Sequence, residues 1–393
     1  MKKYKFTGAE IVLKSSILPD AELIVENGVI AAVGRDLDAD GCEVIDLQGK
    51  YLAPGFIDSH THGGGGFDFL DGTAEAFLGA AAIHAKHGTT LIVPTSASCS
   101  NGTLFRFFDA YREAAGLQSD GAAFGGIHIE GGYLAPTMCG GQDLRYVYPP
   151  TPADYNEILA KGGDLIRRWT FAPELEGVPE FMAELHRRGI QMSIGHTAAL
   201  YEDAVMAFDL GATSITHFYS LTSTVTRRNA LRYAGALEAG YLLDGYYVET
   251  IGDGIHLPAP LLKLIWKVKG PDRIIGITDS MRGAGMPDGP SILGSLEDGV
   301  HCIIEDGVAK LPDRSSFAGS VCTTDRIVRN YIKLVGASIP EAVQTVTLNP
   351  ARILGVDKSK GSICEGKDAD LVVFDSDINV SLTMVGGRIV HKK

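Results

Sequence analysis

The sequence predicts an α/β chain built on a (β/α)8 TIM barrel, with a small β-sandwich domain assembled from both ends of the chain. Three observations predict it. Eight short apolar runs alternate with amphipathic helical stretches through the middle of the chain, as in a parallel sheet built from βα units. The first fifty and last forty residues instead carry only short strands and turn signals. At 393 residues the chain also exceeds what one small core organises, so one large domain and a smaller one are expected. The predicted division is 1–52 and 355–393 for the small domain and 53–354 for the barrel.

The N-terminal elements are YKFTGAEIVL, then AELIVENGVIAAVG with Asn27-Gly28 as its hairpin turn, then EVIDLQGKYLAPG. The barrel strands follow as YLAPGFID, TTLIVPT, FGGIHIE, WTFAP, IQMSIGH, ATSITH, YYVETI and IIGITD, with the length and β-branched content of buried strands. Helices fill gaps between them: TAEAFLGAAAIHAKHG, VPEFMAELHRRG, YEDAVMAFDLG, PAPLLKLIWKVKG and, after the eighth strand, TDRIVRNYIKLVG. Each ends at a glycine suited to a left-handed cap. The segment GSLEDGVHCIIEDGVAKLPDRSS reads as extra hairpins. At the C-terminus, DLVVFD and the Gly386-Gly387 turn before RIVHKK repeat the texture of the first fifty residues. Neither end forms a core alone, and chain ends often lie close together, so the two are expected to pair.

A formal charge of −13 without any Lys/Arg-rich run excludes the electrostatic footprint of a nucleic-acid or anionic-membrane binder. A small anionic substrate remains compatible, because Arg227, Arg228 and Arg232 can set a local field. The six cysteines are far apart and form no CxxC pair, which suits reduced thiols and a cytoplasmic location. There is no run of 18 uncharged apolar residues and no signal-peptide pattern at the N-terminus.

The chemistry collects at the C-terminal ends of the predicted strands, the face on which barrel enzymes place their active sites. His60 and His62 are two apart, so in an extended segment both imidazoles point the same way and can reach one ion. Glu130 ends the third run, where a buried carboxylate needs a cation or a partner charge, and His128 shares its face. His196 and His217 each follow an apolar strand, and Asp279 ends the eighth. Alone, each fits an ion-paired carboxylate, a capped turn or a core histidine; structural residues have no reason to choose strand ends together. His84 and His87 read as structural and His186 as solvated. There is no phosphate-cradling GxGxxG or Lys-Ser/Thr loop and no Gly-x-Ser-x-Gly elbow.

The segments APGFIDSHTHG, GIHIEGGYL, FAPE, GHTAA, THFYS, DGIH, TDSMRGAGMPDG and FAGS, in this order, resemble the N-acetylglucosamine-6-phosphate deacetylase family of the amidohydrolase superfamily. The resemblance implies a principal metal on Glu130, His196 and His217, and a second ion on His60 and His62. It implies Asp279 as acid/base and His256 as the group that polarises the acyl carbonyl or orients the sugar. Arg228, or Arg227, would reach the sugar phosphate across a homodimer interface. Phe317, Ala318, Gly319 and Ser320 would line the pocket, as would Gly141, Gln142, Ser220 and Leu221. The recognition loops depart from the family: Gly132 replaces Pro, Gln142 replaces a substrate-binding His, and Ser220-Leu221-Thr222 replaces Asn-Ala-Met. Arg228-Asn229-Ala230-Leu231 likewise replaces Arg-Glu-Pro-Gly.

The expected reaction is metal-dependent hydrolysis of the acetamide of N-acetylglucosamine-6-phosphate, or a close N-acetylhexosamine-6-phosphate, to acetate and the amino sugar phosphate. The expected cofactor is one or two divalent ions, zinc foremost, with iron, manganese or cobalt also suited to these donors. Alternatives are an amidohydrolase acting on an unphosphorylated N-acyl amino sugar or on a cyclic amide, and a non-catalytic barrel scaffold. Cyclic-amide enzymes usually bridge two metals with a carboxylated lysine. Here Glu130 ends the third strand and Pro173-Glu174 the fourth motif, which disfavours that reading. A scaffold would be expected to have lost ligands.

Overall fold

The structure is a computed structural model that describes residues 2–393. Eight parallel strands follow one another in chain order: Phe56–Thr61, Thr89–Ser96, Ile127–Glu130, Ile166–Phe171, Gln191–Ile194, Ser214–Ile215, Tyr247–Ile251 and Ile274–Ile277. The ring closes just beyond the last ladder, where Asp279 N donates to His60 O at 2.9 Å and His62 N to Ser280 O at 2.8 Å. Closure therefore falls at the strand ends that carry the histidines.

Alternation along a strand decides what enters the barrel. Trp169 and Phe171 pack edge-on against Phe181 of the helix Val178–Arg187, with ring centroids 5.0 and 5.5 Å apart. Arg168 and Thr170 therefore turn inward, where they meet Ser193, Thr216 and His128. The interior is a hydrogen-bonded polar column, and the apolar core lies between strands and helices.

The expected run YLAPGFID divides between two sheets. Tyr51–Pro54 pairs with Tyr4–Val12 and Leu371–Phe374 in the small sheet, and only Phe56–Thr61 enters the barrel. The break is Gly55, where a Cβ would lie 2.2 Å from the Thr90 side chain. An unbroken apolar run gives no sign of it.

The small sheet draws strands from both ends, in the order Arg388–Lys392, Val380–Val385, Leu371–Phe374, Tyr51–Pro54, Tyr4–Val12, Ile17–Glu26, Val29–Gly34. Asn27 and Gly28 take φ of 52° and 85°, the positive pair that a tight hairpin turn requires. Phe6, Leu23, Leu52, Leu371 and Met384 form this domain's own core.

The five expected helices are present. Ala74–Lys86 starts at Thr73, whose side chain accepts from Ala76 N, and Thr324–Asn330 continues into one π turn, Tyr331–Val335. Sequence reading did not name Asn101–Leu117 or Pro152–Gly162. The expected extra hairpins form a three-stranded sheet of Gly289–Leu293, Val300–Glu305 and Val308–Lys310. Among the described residues, no helix is long and apolar enough to cross a membrane.

Candidate active site

The strand ends turn sharply so that side chains project over the barrel mouth. His196, His217 and Asp279 have φ of 48°, 28° and 48°, a region that costs a residue with a Cβ about 1–3 kcal/mol. Three such residues, at the ends of the fifth, sixth and eighth strands, are held by the surrounding packing rather than by local preference.

Six buried side chains converge there as two groups of three, His60 with His62 and Asp279, and Glu130 with His196 and His217. Glu130 joins them. Its Oε1 lies 2.9 Å from His217 Nε2 and 3.2 Å from His196 Nε2, and its Oε2 lies 3.2 Å from His62 Nε2. Asp279 Oδ1 is 3.4 Å from His60 Nε2 and 3.2 Å from His62 Nε2.

Hydrogen bonding fixes what these atoms offer. His196 Nδ1 contacts Met138 O at 2.8 Å and His217 Nδ1 contacts Ser220 O at 3.0 Å. A carbonyl only accepts, so each Nδ1 carries a hydrogen, and in its neutral form each ring presents a lone pair at Nε2. Those two Nε2 atoms are 3.0 Å apart and face a carboxylate oxygen. Acceptors packed against acceptors repel unless a positive charge sits among them. His60 Nε2 is buried there without a hydrogen-bond partner. This donor set fits a divalent ion.

The electrostatics agree. Burial works to raise the Glu130 carboxyl, but His60, His196 and His217 outweigh it and hold it well below the ordinary range. Burial likewise opposes charge on His60, yet Glu130, Glu249 and Asp279 bring its pKa up to about 9. The pocket's field favours positive charge.

Behind these groups lie residues that sequence reading missed. Glu249 Oε2 is 3.4 Å from His60 Nδ1 and 3.4 Å from His217 N, and Glu249 pairs with Arg168; neither side chain is exposed at all. The signal was a lone carboxylate in the apolar run YYVETI, the same kind that marked Glu130. Asp253 Oδ2 holds His256 Nδ1 at 2.6 Å, and the His256 ring packs against Phe317, centroids 4.3 Å apart. His128 is spent on Thr170 and Thr95, and burial keeps it neutral. His84 is buried against Thr61 and Gly63, and His186 is exposed.

A cavity of about 270 Å³ opens over the site. Gly141, Gln142, Ser220, Leu221, His256, Phe317 and Gly319 line it, as do Tyr219, Ile251, Leu293 and Ser316, which sequence reading did not name. Ala318 packs with Met281 and Leu293 in a separate apolar cluster, and Ser320 N supports Asp279 by donating to its carbonyl at 2.9 Å. Arg227 and Arg228 stand on the exposed hairpin Thr226–Arg228 with Leu231–Tyr233, outside the cavity. No lysine or arginine lines the cavity among the described residues.

A parallel barrel with imidazoles and carboxylates gathered at its strand ends defines the amidohydrolase class, and the family model described as "Amidohydrolase family" matches residues 51–390. The chain is 32% identical over 374 residues to N-acetylglucosamine-6-phosphate deacetylase of Lysinibacillus sphaericus, covering 93% of this chain and 92% of that one. It is 30% identical over 373 residues to N-acetylgalactosamine-6-phosphate deacetylase of Escherichia coli O157:H7, covering 95% of each. A Mycobacterium smegmatis N-acetyl-D-glucosamine-6-phosphate deacetylase, solved as a mutant in complex with N-acetyl-D-glucosamine-6-phosphate, superposes with a TM-score of 0.91, at 29% identity and full coverage of both chains. The chain belongs to the N-acetylglucosamine-6-phosphate deacetylase family of the amidohydrolases.

Proposed function

We propose that this protein hydrolyses the acetamide of an N-acetylhexosamine-6-phosphate, N-acetylglucosamine-6-phosphate first, releasing acetate and the amino sugar phosphate. The observation that carries the hydrolytic half is the set of buried acceptors, His196 Nε2, His217 Nε2 and Glu130 Oε1, packed within 3.2 Å of one another at the floor of a substrate-sized cavity. The sugar phosphate rests on the likeness to relatives that bear those names.

In this reading Glu130, His196 and His217 hold the principal ion, and His60 and His62 hold a second. A divalent ion in such a donor set supplies a Lewis acid and acidifies water to a pKa of about 7. Asp279, at the cavity floor, takes a proton from the attacking water and passes it to the amine nitrogen as the C–N bond breaks. With Nδ1 tied to Asp253, the His256 ring is held with Nε2 toward the cavity, where it orients the sugar or the acyl oxygen. Phe317 packs on that ring and helps exclude water. The phosphate needs a cation that the cavity itself lacks. Arg228 or Arg227, exposed on its hairpin, supplies it from the second subunit of a homodimer. The ion is zinc, with iron, manganese and cobalt as the other metals these donors accept. Six free cysteines suit a cytoplasmic enzyme.

The test is deacetylation of N-acetylglucosamine-6-phosphate, its galacto epimer and unphosphorylated N-acetylglucosamine, with elemental analysis of the same sample. The expected result is a phosphate-dependent kcat/KM and at least one metal ion per chain. Preference for the unphosphorylated sugar overturns the phosphate assignment, and full activity in metal-free protein overturns the mechanism.

A further inference from the structure

Gln142 stands where the sequence comparison expects a substrate contact, yet the protein already engages both ends of its side-chain amide. Its Oε1 accepts from Ser98 N at 2.6 Å, and its Nε2 donates to Glu130 Oε2 at 3.0 Å. The orientation is forced, since flipping the amide would set donor against donor at Ser98 and acceptor against acceptor at Glu130. We infer that Gln142 is a positioning residue for the metal centre: it clamps Glu130 so that Oε1 is presented to His196 and His217.

Two features make the clamp specific. First, the loop carrying Gln142 also carries Met138, whose carbonyl accepts from His196 Nδ1 at 2.8 Å. One loop after the third strand thus holds two of the three ligands of one ion, and Gln142 N closes its turn onto Cys139 O at 3.0 Å. Second, the amide hydrogen bond anchors Oε2, which also lies 3.2 Å from His62 Nε2, while Oε1 faces His217 and His196, 2.9 and 3.2 Å away. An anchor on one carboxylate oxygen fixes the rotation that aims the other, and such outer contacts typically govern metal affinity by 10–100-fold.

The inference rests on Glu130 being a metal ligand, so the experiment separates the two claims. Protein is stripped with a chelator, and its Zn2+ dissociation constant is measured by competition for wild type, Gln142→Met and Glu130→Gln. Turnover is then measured at saturating metal. Gln142→Met keeps the length of the side chain and removes both hydrogen bonds; Gln142→Ala repeats the measurement if methionine is not accommodated. The expected result is a 10–100-fold weaker Zn2+ affinity in the Gln142 variant, with KM at saturating metal within about twofold of wild type. Unchanged Zn2+ affinity overturns the proposal, as does a KM increase larger than the affinity loss, which marks a substrate contact. If Glu130→Gln also binds Zn2+ as wild type does, the ligand assignment has failed; if only Gln142→Met does, the clamp alone has failed.

Discussion

Glu249→Gln is expected to damage both the fold and the metal centre, by separable amounts. Arg168 and Glu249 are fully buried inside the barrel and paired, and solvent does not screen them. Neutralising Glu249 leaves the Arg168 guanidinium with only neutral partners, Ser193 Oγ at 2.9 Å and Ser59 O at 3.4 Å. Removing one partner of a buried pair costs about 3–5 kcal/mol, because the other charge stays desolvated. The glutamine also weakens the hold on His60 Nδ1, so ion binding at the His60/His62 pair should weaken by a further 10–100-fold. Urea unfolding of the metal-free protein isolates the first effect, and metal titration of the folded protein isolates the second. Replacing both members, Arg168→Met with Glu249→Leu, should recover most of the stability while leaving the metal defect, since the uncompensated charge is gone but His60 is still unsupported. A loss below 1 kcal/mol in Glu249→Gln, or a double variant no more stable than the single one, would refute the reasoning.

Asp279→Asn should fold, keep the ion at Glu130, His196 and His217, and lose about 10²–10⁴-fold in kcat, because proton transfer alone is removed; near-normal turnover would sink the acid/base role. A pH effect comes from His84, which burial keeps neutral with a pKa lowered to about 4 from an ordinary 6.5. The folded state binds fewer protons than the unfolded chain between those values, so this contribution is fully present above pH 6.5 and is lost as pH falls toward 4. The loss amounts to roughly 3 kcal/mol. His84→Asn should show a correspondingly flatter stability profile over that window in urea titrations, and an identical slope in both proteins would contradict the assignment.

Much of the fold was legible because its signals are local. Asn27-Gly28 announces a hairpin through its own φ preferences, and eight apolar runs alternating with helices leave few topologies other than a closed parallel ring. The division at Gly55 was not legible, because the strands on either side of it are equally apolar and only the crossing of Thr90 separates them. Nor was the orientation of Gln142, which is decided by Ser98, 44 residues away.

The same limit explains why Glu130 and Glu249 looked alike in sequence, each a carboxylate in an apolar run, although they do different work. What separates them is the cation each one meets. Glu249 has Arg168 and is thereby neutralised. Glu130 and Asp279 are also buried and have no lysine or arginine partner among the described residues; apart from the Gln142 amide on Glu130 Oε2, their oxygens face imidazoles. Two buried carboxylates without a fixed cation are too costly to keep in a purely structural site. The charge they require comes either from protons on the imidazoles, the direction in which the raised pKa of His60 points, or from a metal ion held by the imidazole lone pairs in their place. The metal centre is therefore encoded as much by the fixed cation that the barrel strands do not provide to Glu130 and Asp279 as by the ligands that they do.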